Sequence, residues 1–148
     1  MHHNVCELLL RVRYAETDAM GIVHHRNYFT WFEAGRVEYM RAMGKDYVEI
    51  EKEGHFFAVS EVGARYLAPA HFDDLVIVRT WLDEVHSRTI AFKYEVLRAD
   101  TKQMLVTGFT RHVCIDAQGK VTAIPAEVRK LLAERAPASG APCYRADT

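Results

Sequence analysis

The sequence has little cysteine, little proline and no long hydrophobic run. Its three cysteines, Cys6, Cys114 and Cys143, are odd in number and widely spaced, which suits neither a disulfide framework nor a zinc site and favours a reducing compartment. No CxxC or HxxxH pair occurs, so we expect no bound metal. No stretch approaches the ~20 apolar residues of a membrane span, and no N-terminal segment has a signal-peptide pattern. We therefore expect a cytoplasmic protein.

The sequence also lacks a large excess of either positive or negative charge, since its net charge is −1. That balance argues against the broad basic surface of a nucleic-acid-binding protein. The length of 148 residues, 49% of them hydrophobic, suits one domain with a core of its own. We assign residues 1–136 to a single domain, and we expect 137–148, rich in Pro, Ala, Ser and Gly, to be a flexible C-terminal tail.

A strand, a loop and a long helix are predicted in the first third of the chain. Residues 5–14 alternate, which predicts a half-buried strand. The apolar face of this strand carries Cys6, Leu8, Leu10, Val12 and Tyr14. A loop over 15–24 contains Gly21, which can adopt backbone geometry that other residues avoid. Asn27 is the predicted N-cap of a helix over Tyr28–Met43, ended by Gly44. Its polar stripe is narrow, so we expect other elements to enclose this helix.

The rest of the sequence predicts strands that follow one another through short links. After one further helical turn within Asp46–Gly54, the predicted strands are Phe56–Leu67, Leu75–Val85, Thr89–Ala99 and Met104–Ile115. The links between the last three are hairpin length, so the sheet is predicted to be antiparallel. A short helix from Pro125 to Arg135 follows. The pattern predicts an α+β fold, an antiparallel sheet of about five strands wrapped around one long apolar helix, with edges that favour subunit association.

Asp18 is the candidate reactive group, because it lies in the loop that leads into the apolar helix. Free N–H groups at a helix N-terminus carry partial positive charge and can hold an oxyanion. A carboxylate facing such a donor can attack a carbonyl carbon or deprotonate a water molecule, which suits transfer of an activated acyl group to water. The alternative is that Asp18 only caps or orders the loop, and the pattern alone leaves both open.

A long spaced motif in this region resembles the signature of hotdog-fold acyl-CoA thioesterases, in the 4-hydroxybenzoyl-CoA thioesterase-like family. The matching residues are Tyr14, Thr17, Asp18, Gly21, Ile22, Val23, Asn27, Tyr28, Glu33 and Arg36. The segment Tyr66–Ala70, followed by Asp73 and Asp74, resembles the same family. The resemblance covers about residues 8–125 and implies the hotdog fold.

The resemblance implies a role for each matching position. Asp18 corresponds to the catalytic carboxylate, as nucleophile or general base. Gly21 and His25 belong to the loop entering the helix, and the His25 backbone N–H would polarise the thioester carbonyl. Tyr28 either lines the acyl pocket or packs in the core. Glu33 is a rival catalytic carboxylate, with an ion pair to a helix neighbour as its alternative.

The implied activity is hydrolysis of a short-chain or aromatic acyl-CoA to the free acid and CoA. Arg88 and Arg65 are the candidate CoA-binding cations, the first in a hairpin and the second on a strand. The resemblance implies no cofactor, since coenzyme A is part of the substrate, and a homodimer or homotetramer with active sites at the subunit interfaces. The alternatives are a thioesterase acting on acyl carrier protein, a dehydratase, or a non-catalytic acyl-CoA-binding module.

Overall fold

The computed structural model describes residues 5–134 and 141–146. The elements within these residues are β1 (Cys6–Arg11), a 3₁₀ turn (Tyr14–Glu16), α1 (Asn27–Met43), α2 (Tyr47–Lys52), β2 (Phe56–Tyr66), β3 (Leu75–Val85), β4 (Thr89–Arg98), β5 (Met104–Ile115), α3 (Ala126–Glu134) and β6 (Ala141–Ala146). None of the helices described is both long and apolar enough to cross a membrane.

The strands form one sheet in the order β2-β5-β4-β3-β1-β6. The first five strands in that order pair antiparallel, which confirms the predicted sheet of about five antiparallel strands. The sixth strand, β6, pairs parallel with β1 and lies within the segment expected to be a flexible tail. The remaining residues of that segment lie outside the described part of the chain, and the domain boundary at residue 136 stays a prediction.

The long helix α1 packs its apolar side against the inner face of the sheet. The ring of Phe32 stacks on Tyr94 with centroids 4.3 Å apart, and Tyr39 meets Phe92 edge-on at 5.6 Å. Both α1 rings are buried, and full burial of a side chain of this size stabilises a fold by about 1.5–3 kcal/mol. Gly35 faces Thr80 with no room for a side chain between them, so α1 lies close to β3. The predicted enclosed helix is confirmed.

The ends of α1 and β1 correct two details of the sequence prediction. Gly44 ends α1 in the left-handed conformation at φ 89°, as predicted. Asn27, however, is the first helical residue and not the N-cap, because its side-chain amide donates to the Glu16 carbonyl at 2.7 Å. Tyr14 is 76% exposed and not on the buried strand face, because the chain leaves the sheet after Arg11.

One cysteine also departs from expectation. Cys6 is disulfide-bonded, whereas Cys114 is a buried free thiol. The disulfide at Cys6 differs from the expectation, drawn from cysteine number and spacing, that these residues suit a reducing compartment and no disulfide framework. The pairing of β6 with β1 brings a distant part of the chain alongside this strand, and sequence spacing does not reveal that proximity.

A chain of buried polar side chains crosses the interior between β4 and β5. The Tyr94 hydroxyl and Thr110 Oγ1 are 2.7 Å apart, and Thr110 Oγ1 is 2.8 Å from His112 Nε2. These bonds satisfy groups that would be costly to bury alone. Burial, with a smaller contribution from the Arg36 charge, lowers the pKa of His112 to about 4. His112 is therefore neutral at pH 7.

Gly108 of β5 also packs closely against α1, and replacing it should be costly. A Cβ there would lie 2.5 Å from the Phe32 ring and 2.7 Å from the Gly63 carbonyl oxygen, which is backbone and cannot move aside. We expect Gly108→Ala to lower the free energy of unfolding by about 1–3 kcal/mol, measured by chemical denaturation.

Gly63→Ala is the matched control, because a Cβ at Gly63 meets only the half-buried Phe109 ring on the outer sheet face. That ring can rotate away, so the loss should be smaller. Equal stability of Gly108→Ala and the wild type would contradict the close packing described here.

Candidate active site

The loop that carries Asp18 is a small hairpin-like reversal of the chain on the N-terminal side of α1. Asp18 N donates to Ile22 O at 2.8 Å, and His24 N donates to Glu16 O at 2.9 Å. The chain reverses at Gly21, which has a φ of 79° and donates to Asp18 O at 2.9 Å. This φ favours glycine, so the sequence fits the turn at the one position that requires it.

The two oxygens of the Asp18 carboxylate have different surroundings. Oδ1 accepts a hydrogen bond from Met20 N at 2.8 Å, which stabilises the turn. Among the described residues, Oδ2 has no hydrogen-bond partner, and the side chain is half-buried. Asp18 therefore orders the loop, as the alternative reading held, and still leaves one oxygen open for chemistry.

A backbone donor without an acceptor follows at His25. Its N–H makes no hydrogen bond within residues 5–134 and 141–146, although the neighbouring N–H groups of His24 and Arg26 are both engaged. The helix α1 begins at Asn27, so the positive end of a 17-residue helix lies directly beyond this N–H. The His25 side chain is exposed and stacks on His24 with ring centroids 4.2 Å apart.

Asp18, His25 and Tyr28 meet at a cavity of about 380 Å³. The other lining residues, most of them apolar, are Met20, Ile22, Val23, Tyr66, Leu67, Ala68 and Pro69. Burial raises the pKa of Tyr28, and a hydrogen bond with the Ala70 backbone opposes that shift in part. The phenol is therefore protonated at neutral pH. An apolar cavity with one carboxylate oxygen and one backbone N–H can hold an acyl group and polarise its carbonyl.

Part of the cavity lining comes from the segment between β2 and β3, which contributes Leu67, Ala68 and Pro69. Val23 N donates to Ala70 O at 2.9 Å, which joins this segment to the Asp18 loop. Arg98 also holds the segment between β2 and β3, through an ion pair with Asp74 and a 2.9 Å hydrogen bond to the Pro69 carbonyl. The resemblance noted at Tyr66–Ala70 therefore falls on the site itself.

A family model described as "Thioesterase-like superfamily" matches residues 12–132, which span the Asp18 loop, α1 and the antiparallel strands β2 to β5. This chain belongs to the thioesterase-like superfamily.

Named relatives agree with the superfamily assignment. An acyl-CoA thioesterase, YbgC, from Haemophilus influenzae is 34% identical over 122 residues, covering 81% of this chain and 88% of that protein. A hypothetical protein, TT1821, from Thermus thermophilus has a solved structure with a TM-score of 0.81 and 40% identity, covering 89% of this chain and 98% of that one. A DHNA-CoA thioesterase from Staphylococcus aureus gives a TM-score of 0.83 at 28% identity, covering 88% and 89%. The predictions of a hotdog-fold thioesterase family and of a thioester hydrolase are confirmed.

The structure separates the other predicted site residues from the Asp18 cavity. Arg65 is exposed and lines a larger cavity, about 540 Å³, with residues that include Trp81 and Phe109. Arg88 is exposed in the β3–β4 turn, where its carbonyl accepts from Cys114 N at 2.8 Å. Glu33 faces Arg36 on α1, with Oε2 3.7 Å from Arg36 Nη2 and its side chain 65% exposed. No group of three or more His, Cys, Asp or Glu side chains in the described residues is arranged to hold a metal ion.

Two residues beside the cavity were given no role from the sequence. The Tyr66 hydroxyl donates to the His25 carbonyl at 3.1 Å, and its ring lies edge-on to Tyr28 with centroids 5.5 Å apart. Glu16 is 6% exposed and accepts a hydrogen bond from Trp31 Nε1 at 2.8 Å. Both lie within segments that resemble the superfamily, which was the one available signal.

The bond from Tyr66 should hold the His25 peptide in place. A typical hydrogen bond contributes about 0.5–1.5 kcal/mol, so Tyr66→Phe should speed hydrogen exchange at the neighbouring amides by several-fold. The amides to follow by NMR are those of His24 and Asn27, which donate to Glu16 O and His24 O.

Tyr14→Phe is the control for this measurement. Tyr14 lies near the same loop, but it is 76% exposed and its hydroxyl has no hydrogen bond within the described residues. Unchanged exchange at both amides in Tyr66→Phe would show that the hydroxyl does not restrain this segment.

Proposed function

We propose that this protein is an acyl-CoA thioesterase that hydrolyses a short-chain or aromatic acyl-CoA to the free acid and CoA. The observation that carries the proposal is that Asp18 and His25 line one mostly apolar cavity and that each has a group without a hydrogen-bond partner among the described residues, Asp18 Oδ2 and the His25 backbone N–H. An acid and a preorganised donor on opposite sides of a bound carbonyl are the parts that thioester hydrolysis needs. The related protein named an acyl-CoA thioesterase supports this choice.

Two routes use the same geometry. In the first, Asp18 Oδ2 attacks the carbonyl carbon, the thiolate of CoA leaves, and water hydrolyses the resulting anhydride. In the second, Asp18 takes a proton from a water molecule, whose oxygen adds to the carbonyl carbon before the C–S bond breaks and the thiolate receives a proton. In both, the His25 N–H stabilises the oxyanion. Single turnover in ¹⁸O-labelled water separates the second route from a first route in which water attacks the Asp18 carbon of the anhydride, because that first route places the label in Asp18 and the second places it in the free acid.

The lining of the cavity supports an uncharged acyl group. Its side chains are apolar or aromatic apart from Asp18 and His25, and no lysine or arginine lines it among the described residues. A second carboxylate on the acyl group would therefore lie without a cation beside it. Tyr28 and Tyr66 both line the cavity, so an aromatic acyl group would lie beside aromatic rings. The related protein named a DHNA-CoA thioesterase is consistent with an aromatic substrate.

The CoA portion must extend out of this cavity, and we propose Arg88 and Arg65 as the residues that meet its phosphates. Both are exposed, and neither side chain has an ion-pair partner within the described residues. Because they lie outside the cavity, they would contact the distal part of CoA and not the thioester. No cofactor takes part in this proposal, and we place the reaction in the cytoplasm.

We propose that the active protein is a homodimer or homotetramer with the sites at subunit interfaces. The 11-residue strand β2 is a sheet edge, and exposed Val59 and Val62 lie along it. A long edge with apolar side chains favours pairing with a second copy. Tyr66 at the end of β2 contacts His25, so a partner joined along this edge would lie next to the cavity.

We expect a dimer or tetramer by light scattering at micromolar concentration. Val62→Asp should weaken this assembly, because an antiparallel pairing of two β2 strands would bring a buried charge into the interface. Val121→Asp is the control, since Val121 is also an exposed valine, at 58%, but lies outside β2. A monomeric wild-type protein would contradict the interface model.

We expect purified protein to release free thiol from at least one member of an acyl-CoA panel of varied chain length. Asp18→Asn should lower kcat by about 10²–10⁴-fold with little change in KM, because the carboxylate acts mainly in the transition state. Glu33→Gln is the matched carboxylate control and should keep kcat near the wild-type value, since Glu33 faces Arg36 and not the cavity.

The pattern of results separates the remaining functions. Loss of activity in Glu33→Gln alone would transfer the catalytic role to Glu33. Binding of acyl-CoA without thiol release would make the protein an acyl-CoA-binding module. Activity only on thioesters of acyl carrier protein would make the protein an acyl-carrier-protein thioesterase that uses the same hydrolysis.

A further inference from the structure

We infer that Glu16 is a positioning residue that holds Asp18 and the His25 N–H at their working separation; this inference rests on the proposed function. Glu16 is 6% exposed and ends the 3₁₀ turn just before the Asp18 loop. It does not line the cavity, so any effect on the reaction passes through other residues.

The side chain of Glu16 joins the loop to the helix. Oε2 accepts from Trp31 Nε1 at 2.8 Å, and Trp31 is a buried residue one turn inside α1. Oε1 accepts from Arg13 N at 2.7 Å, and Arg13 Nη2 lies 3.4 Å from Oε2. Hydrogen bonds to an ionised carboxylate are stronger than neutral ones, so these contacts fix the start of the loop firmly against α1.

The backbone carbonyl of Glu16 joins the two ends of the same loop. It accepts a hydrogen bond from His24 N at 2.9 Å, which joins the two ends of the loop that contains Asp18. It also accepts from the Asn27 side-chain amide at 2.7 Å, which ties the first residue of α1 to the loop. Asp18 follows Glu16 by two residues and His25 follows His24 directly, so both reacting groups branch from this one point.

The donors around Glu16 specify a carboxylate at this position. Arg13 N and Trp31 Nε1 both donate, to different oxygens of the same group. Glutamine has nearly the same shape but offers one acceptor oxygen, so its NH₂ would face one of these donors. Glu16→Gln should therefore break one bond and leave a donor buried without a partner.

The test is to measure kcat and KM for Glu16→Gln well below its unfolding temperature. Displacement of a reacting group by about 1 Å can cost about 10²-fold in rate, so we expect kcat to fall by about 10–100-fold while KM changes little. Trp31→Phe removes the Nε1–H donor and keeps an apolar ring, and it should lower kcat in the same direction. Because both changes break the same bond, the double variant should lose less than the product of the two.

Glu38→Gln is the matched control. Like Glu16, Glu38 is a nearly buried acid, 9% exposed and ion-paired with Arg41. It belongs to α1 and lies about 16 Å along the helix axis from Asn27, at 1.5 Å per residue. The Glu38→Gln variant should be less stable than the wild type, with an unchanged kcat. If Glu16→Gln and Trp31→Phe behave like this control, with unchanged kcat, the positioning role is overturned.

A second readout keeps the inference independent of the reaction. Hydrogen exchange at the amides of Asp18 and His24 should be faster in Glu16→Gln than in Glu38→Gln, because only the first variant loosens the loop. If the wild type releases no thiol, the proposed function fails and this exchange comparison still decides whether Glu16 orders the loop. Equal exchange in the two variants would overturn the positioning role.

Discussion

The hydrogen bond from Trp31 to Glu16 joins the loop that carries Asp18 to the helix enclosed by the sheet. Helix α1 has a fixed position because Phe32 stacks on Tyr94 and Gly35 lies against Thr80. The tip of this loop, Ala19 to Gly21, is exposed, and loops are generally more mobile than the elements they connect. Anchoring the loop to the helix through a buried acid gives it the positional precision of the core.

The other side of the cavity is formed by residues far along the chain, at the end of β2 and in the segment that follows it. Tyr66 lies at the end of β2, and the segment after it reaches the Asp18 loop through the hydrogen bond between Val23 and Ala70. The Asp74–Arg98 ion pair ties that segment to β4. One side of the cavity therefore depends on helix packing and the other on strand pairing.

Local patterns predicted most of this fold, and long-range contacts explain what they missed. The strands Leu75–Val85 and Met104–Ile115 occur with the predicted bounds, because alternation is a property of neighbouring residues. The family motif directed attention to Asp18, His25 and Tyr28, which the structure brings to one cavity. The contacts of Glu16 and Tyr66 span 15 and 41 positions, so no window of sequence reveals them. Asn27 was assigned as a cap for the same reason, since its actual partner lies before the loop.

The buried chain from Tyr94 through Thr110 to His112 makes the core itself sensitive to acid. The pKa of His112 is about 4 in the folded protein and near 6.5 in an unfolded chain, so between these values the unfolded state binds the extra proton. The contribution of the neutral imidazole to stability is complete above about pH 6.5 and declines as the pH falls towards 4. Mild acid would thus lower the free energy of unfolding through a histidine in the core.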